Sequence, residues 1–538
     1  MLSRCPNIFS KALSMFRREE DGSLIVFSLF VFMAMIIFGG VAVDLMMYEN
    51  QRTHIQNATD RAVLAAADLD QTVDADLVVQ DYLAKVGVAI DSDDVQVEEV
   101  TLAGETIGRK VSVQVDARYN TSLMHMVDVP YLEFSARSKA EEAVNDIEVS
   151  LVLDVSGSMR SNSKLQNMQS AAKDFVDKIL ANSEDNRVSL SLVPYSTQVS
   201  AGPELLAQMN TRFSHDRSYC VNFDAQDFLR TSINHNVALD QTAHFDPWKS
   251  YRSRSWHNSE ADTRMPEYLV CRDEAFFETT PWSNNALALK DQIDDFTASG
   301  NTSIDIAMKW GSALLDPSMS PQLNALIANS DVNTAFANRP HPFDHDDALK
   351  FIVVMTDGIN TDQYYLKDQY KTGGSGIYKI PDGNGNDEYF RELSGGNWWN
   401  ILEHQVVGNP IPTSGPRAGP DYELSWVDMW AEMSMSWRAY HAYYRERYRS
   451  QDYWNALRTP RDVVAAADKD TRMNDICSAA KDKGIIVFAV GFEVTDHSAN
   501  VMRNCASTPS HFYRVEGLDI EFAFAQIANQ INQLKLTQ

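Results

Sequence analysis

The sequence predicts an α/β fold: a doubly wound, mostly parallel sheet with two large insertions, preceded by an apolar helix and a small α+β module. Three observations carry that prediction. From Ile147 onward, short apolar runs alternate with amphipathic helical stretches, the pattern of strands joined by crossover helices. Two of the runs end in polar, glycine-containing turns, Asp154-Val155-Ser156-Gly157-Ser158 and Thr356-Asp357-Gly358. In such sheets ligands bind outside the carboxyl ends of the strands. Ahead of the sheet, Leu24 to Val43 contains no charged residue, and at about 1.5 Å per residue it is long enough to cross a bilayer.

The elements follow in order. Residues 1–23 form a short N-terminus bearing Arg4, Lys11, Arg17 and Arg18, residues 24–43 a transmembrane helix, and Asp44 and Glu49 lie just beyond it. The positive-inside rule keeps the N-terminus cytoplasmic and translocates the rest. The expected location is the inner (cell) membrane, single-pass, with the C-terminal bulk periplasmic or otherwise extracytoplasmic. A cleaved signal peptide is the alternative, but the run exceeds the usual apolar region of about 7–15 residues and no A-x-A-like site closes it. Leu45 to Leu69 lacks Gly and Pro and is rich in Ala, so the helix continues beyond the span. Ala62, Ala65, Ala66 and Ala67 give it a small-residue face for packing within the domain or against a neighbouring helix. Between Val95 and Ala140 apolar and polar residues alternate in three stretches, the period of half-buried strands. Residues 44–143 therefore read as one α+β unit.

Residues 144–538 carry the main sheet. Strands are expected at Ile147–Leu153, Val188–Pro194, Phe351–Met355, Ile485–Val490 and His511–Val515. Helices are expected at Lys164–Leu180, Ser303–Leu315, Arg472–Lys483, Ala499–Cys505 and Ile520–Lys535. Two interruptions, near residues 201–281 and 361–466, break the alternation. The second holds six of the ten tryptophans; its stretch from Trp426 to Trp454 suits either a contact surface or the core of the insertion. Cys220 and Cys271 fall in one irregular segment, and Cys477 and Cys505 flank one strand. The economical pairing is therefore Cys220–Cys271 and Cys477–Cys505, in an oxidising compartment.

The candidate site is drawn from three segments: Asp154, Ser156 and Ser158; Thr302 in Gly300-Asn301-Thr302; and Asp357. Alternate side chains of a loop leaving a strand can turn to one centre, and Gly157 lets the backbone bend. Two carboxylates and three hydroxyls are hard oxygen donors for a divalent cation, Mg²⁺ first, with Mn²⁺ or Ca²⁺ as alternatives. Because hydroxyls are neutral, a bound ion would keep most of its charge and attract a carboxylate from a protein partner.

Asp154-Val155-Ser156-Gly157-Ser158, the distal Thr302 and Met355-Thr356-Asp357-Gly358 resemble, in that order, the metal-ion-dependent adhesion site of von Willebrand factor A domains, which share the Rossmann-like architecture. The resemblance implies that Ser156 and Ser158 ligate directly, that Thr302 joins when ligand is bound, and that Asp154 and Asp357 act mainly through waters. A second resemblance lies at the N-terminus. Arg17-Arg18-Glu19-Glu20-Asp21-Gly22, the span, Val43-Asp44, Ile55-Gln56-Asn57-Ala58-Thr59-Asp60-Arg61-Ala62 and Leu64-Ala65-Ala66-Ala67 look like TadE/TadG-like proteins of the tight-adherence (Flp) pilus machinery. Cys505-Ala506-Ser507, His511-Phe512-Tyr513 and the closing helix look TadG-like too. This resemblance implies a pilin-like module in residues 44–143 and pilus-assembly components as partners.

A formal charge of −27 argues against nucleic acid as a partner. The sequence has no G-x-S-x-G elbow, H-E-x-x-H helix or phosphate-binding G-x-x-x-x-G-K-[ST] loop, so no enzyme is expected. Asp382 to Asp387 echoes a calcium loop but lacks its glycine and terminal glutamate, and reads as a surface turn. The expected function is a membrane-anchored pilus-assembly or surface-attachment protein binding a partner through a Mg²⁺-dependent site. The alternative is a cell-envelope scaffold or sensor that recruits a chaperone or membrane protein.

Overall fold

The computed structural model describes residues 21–538 except 69–70, 72, 103–104, 144–145, 182–185, 249–263, 346–347, 382–386, 412–421 and 537–538. The basic N-terminal residues, Cys5 and the calcium-loop echo at 382–386 lie outside the described residues. The chain divides into two compact units, the first reaching Val144 and the second running from Asn145 to Lys535.

In the first unit, helix α1 (Asp21–Ala67) is continuous over 47 residues. Among the described residues it is the helix long and apolar enough to cross a membrane. Leu24–Phe30 and Phe38 are exposed along it. The C-terminal half instead packs on a three-stranded antiparallel sheet, β1 (Val95–Leu102), β2 (Glu105–Asn120) and β3 (Tyr131–Ala143), in that spatial order. Ala62, Val63 and Ala66 meet Val111, Val113, Val115 and Ala136 in its core. The alanine stripe is thus a domain-packing face, since small side chains let a helix approach a sheet closely. A second helix, α2 (Ala75–Ala84), absent from the sequence reading, closes the core with Val79 and Leu83.

The second unit is built on six strands: β4 (Asp146–Asp154), β5 (Val188–Tyr195), β6 (Thr280–Ser283), β7 (Ala348–Thr356), β8 (Ile486–Phe492) and β9 (Phe512–Val515). Their order is β9-β8-β7-β4-β5-β6. All neighbours run parallel except the edge pair β5/β6. The central strands read as nearly continuous apolar runs because both of their faces are covered. Val149, Leu151 and Leu153 of β4 lie in one core with helices α3 (Lys164–Leu180), α4 (Ala286–Asp294) and α8 (Asp519–Leu536). Val152 lies in the opposite core with α5 (Ile304–Ala313), α6 (Ala466–Asp482) and α7 (Asp496–Cys505). From β4 the chain crosses to β5 on one side, and later to β7 on the other. The strand order therefore reverses between β4 and β7, which opens a crevice at their carboxyl ends.

The edge strand β6 straddles the end of the stretch read as the first interruption, and α6 begins at Ala466 rather than Arg472. Both interruptions are structured. Residues 374–425 contribute a five-stranded antiparallel sheet. The entry and exit of that insertion are zipped together by Gln363–Leu366 against Arg461–Val464. Its tryptophans are mainly core: Trp399, Trp426, Trp430 and Trp437 are buried. Ala243, Phe245 and Val270 of the first insertion join the same cluster, so the two insertions fold as one body. Disulfides link Cys220 to Cys271 and Cys477 to Cys505, the expected pairing.

Candidate metal centre

Asp154 ends β4, and Met355 pairs with Leu153 across the sheet, which brings the ends of β4 and β7 side by side. Asp154 is fully buried. Its Oδ1 accepts the Ser156 backbone N–H at 2.8 Å, and its Oδ2 accepts the Thr356 hydroxyl at 2.7 Å. The Tyr195 hydroxyl lies 3.0 Å from the Met355 carbonyl oxygen and 3.3 Å from Asp154 Oδ2. These bonds lock the carboxylate at the strand end.

The loop that follows meets the Gly300 loop at close range. Gly157 N–H donates to the Gly300 carbonyl at 3.0 Å, and a Cβ on residue 157 would stand 3.1 Å from that oxygen. Gly300 has φ +84°, a left-handed conformation that favours glycine. The Thr302 backbone is held by Thr361, whose N–H donates to the Thr302 carbonyl at 3.0 Å and whose hydroxyl lies 3.1 Å from the Thr302 N–H.

With the backbones so placed, the hydroxyls and a carboxylate form a chain. Thr302 Oγ1 is 3.1 Å from Ser156 Oγ, Ser156 Oγ is 3.0 Å from Ser158 Oγ, and Ser158 donates to Asp357 Oδ1 at 2.5 Å. The five residues nominated from sequence thus converge from three loops, with Asp154 reaching the group through the Ser156 backbone and Thr356.

Two lysines escaped the sequence reading. Lys164, first residue of α3, places Nζ 3.0 Å from Asp357 Oδ2 and 3.6 Å from Glu493 Oε2, with only 10% of its side chain exposed. Its position ten residues after Asp154, at the start of the next helix, was the available signal. Lys469 on α6 is fully buried and donates to the carbonyls of Thr302 and Thr361, each at 3.0 Å, and to Ser303 Oγ. It ties two of the three loops together, and burial lowers its pKa to about 8. No sequence signal marked it, because it follows the second insertion and reaches the site only through the fold.

The donor set fits a small, hard cation. All five side chains offer oxygen, and hard divalent ions prefer oxygen. Burial, and then the neighbouring Asp357 charge, push the Asp154 carboxyl up to about 6. Two buried carboxylates face one crevice, and Lys164 places one ammonium on Oδ2 of Asp357.

No curated protein matches the sequence. Solved structures do resemble it. The vWF domain of the type V pili tip protein Mfa5 from Porphyromonas gingivalis is 14% identical, covers 74% of this chain and 98% of that one, and has a TM-score of 0.32. The pilus adhesin SpaC from Lactobacillus rhamnosus GG is 13% identical; the match covers 81% of this chain but 34% of that one, with a TM-score of 0.30. The adhesive tip pilin GBS104 from Group B Streptococcus agalactiae is 12% identical over 72% of this chain and 99% of that one, with a TM-score of 0.28. The family described as putative Flp pilus-assembly TadE/G-like matches residues 22–69, so that segment is similar to those proteins.

Proposed function

We propose that the chain is a membrane-anchored Tad/Flp pilus-assembly or surface-attachment protein. In this reading α1 spans the inner membrane once, with the N-terminus cytoplasmic and the bulk periplasmic. Residues 44–143 form a pilin-like module. Residues 144–538 form a doubly wound von Willebrand A domain with insertions near 201–281 and 361–466. The domain grips its partner, without turnover, through Asp154, Ser156, Ser158, Thr302 and Asp357. Mg²⁺, with Mn²⁺ or Ca²⁺ as alternatives, would supply a positive centre there for a carboxylate of the partner. Ser156, Ser158 and Thr302 add no charge and leave that centre positive, while Asp154 and Asp357 supply the field that retains it. Pilus-assembly components are the expected partners.

The observation that carries the reading is the continuous chain of hydroxyls from Thr302 through Ser156 and Ser158 to Asp357, set at the point where the strand order reverses. Isothermal titration of Mg²⁺ and Mn²⁺ into the full chain, beside the Ser156→Ala/Ser158→Ala variant, tests it. The expected result is binding by the wild type that the variant loses, with the same melting curve in EDTA. Equal binding by both proteins, or by neither, refutes it.

A further inference from the structure

In the first unit, the connection between β2 and β3 (residues 121–130) folds back against α1. Asp44, the first charged residue after the apolar run, is fully buried although it sits on a helix leaving a hydrophobic segment. Its carboxylate accepts the backbone N–H groups of Ser122 at 3.0 Å, Leu123 at 2.8 Å and Met124 at 2.6 Å. The Tyr119 hydroxyl adds a fourth donor at 3.3 Å. A carboxylate this well supplied with donors is stable away from water, and it fixes the turn to α1 at one height.

That height is informative. A Cβ on Gly40 would lie 2.8 Å from Leu123 Cβ, so the glycine permits direct contact. Gly40 falls about one helical turn (about 5 Å at 1.5 Å per residue) before the apolar run ends at Val43. The turn therefore overlaps the last part of the span rather than stopping above it. The turn exposes a cluster of apolar side chains, Leu123 at 39%, Met126 at 67% and Val127 at 42%, with the polar His125 and Asp128 exposed beside them. Tyr131, 44% exposed, follows the tip with the Arg118 guanidinium 5.7 Å from its ring centroid. Tyrosine and arginine are side chains suited to the headgroup level. A single exposed apolar residue needs no explanation; a cluster continuous with a membrane span does.

We propose that the 121–130 turn is a second membrane contact, with Leu123, Met126 and Val127 entering the lipid beside α1 and Asp44 acting as the strut that sets their depth. This rests on the reading of α1 as a membrane anchor. It gives the first unit two points of attachment, so the sheet is held at the membrane rather than swinging on one helix.

The test is spin-label accessibility in the full chain, in a Cys5→Ser background, reconstituted into phosphatidylcholine/phosphatidylglycerol vesicles. Labels are placed singly at Met126→Cys, at Phe30→Cys in the span and at Asp93→Cys, which is exposed on the sheet domain. The expected result is that Met126, like Phe30, is reached by oxygen and protected from an aqueous nickel chelate, while Asp93 shows the reverse. If Phe30 is protected and Met126 behaves like Asp93, the second contact is overturned and the anchor stands. If Phe30 itself is aqueous, the anchor reading fails and takes the contact with it. Protection of Met126 from both reagents, or protection that varies with protein density, identifies a protein neighbour and also overturns the proposal. Asp44→Ala should return the Met126 label to water while Phe30 stays in lipid. An unmoved Met126 label would remove the strut.

Discussion

Replacing Lys164 with glutamine should make the candidate site bind a divalent cation more tightly and make the fold depend on it. The ammonium is 3.0 Å from Asp357 Oδ2 and 3.6 Å from Glu493 Oε2, and the Asp357 side chain is completely buried. At a charge separation of about 4 Å and an effective dielectric near 20, such a pair is worth about 4 kcal/mol before desolvation and rearrangement. The same carboxylate is one of the two that would attract an incoming cation, so the lysine lowers its share of that attraction by a comparable amount. If half or more is offset by relaxation toward Glu493, a gain of up to about 2 kcal/mol remains, up to about a thirtyfold lower Kd for Mg²⁺. Without metal the substitution strands a buried carboxylate, a change that typically destabilises by about 3–5 kcal/mol. The Tm of Lys164→Gln in EDTA should therefore fall, and saturating Mg²⁺ should restore most of it, because a ligand that binds only the folded state raises its stability. Calorimetric titration and thermal melts of the full chain, with and without EDTA, read both effects. An unchanged Kd would refute the competition. A weaker Kd would show that Lys164 orients Asp357 rather than opposing the cation.

Two further outcomes follow from the packing of the second unit. A Cβ on Gly311 of α5 would stand 2.9 Å from Val152 Cγ2, and the Gly311 carbonyl accepts the Ser150 hydroxyl at 2.8 Å. Gly311→Ala should accordingly destabilise by about 1–3 kcal/mol through overpacking, measured by denaturant melts; an unchanged midpoint would show that α5 can shift off β4. His441 in the insertion body stacks between Trp437 and His404, and burial lowers its pKa to about 3. The folded state then favours the neutral ring, whereas the unfolded ring takes up a proton near its ordinary value of about 6.5. Stability should be lost as pH falls below about 6.5, by up to about 2 kcal/mol at pH 5. The loss is read as the difference between wild type and His441→Phe; parallel curves for the two proteins would refute it.

The core strands were legible because each is a short apolar run closed by a polar turn. Ile147–Leu153 and Phe351–Met355 both lie within observed strands. The candidate site was legible for a related reason. Ser156, Ser158 and Asp357 follow strand ends directly, and the carboxyl ends of parallel strands share one edge of the sheet. What escaped has no local signature. The edge strand Thr280–Ser283 is four residues long and begins Thr-Pro, and only its pairing with β5 makes it a strand. Lys469 lies 167 residues from Thr302 in the chain and reaches the loops because α6 packs beside α5.

The amino-acid order by itself determined the apolar span, the alternation of strands and helices, and the residues whose oxygens face the crevice. These follow from periodicity and turn chemistry, which act over a few neighbouring residues. Only the tertiary structure decided that the two insertions share one aromatic core, that Lys164 sits on Asp357, and that Asp44 holds a turn against the span. Each of those depends on groups far apart in sequence meeting in a buried place. There an unpaired charge or an unfilled cavity is costly enough to select its partner, and no local pattern along the chain records that selection.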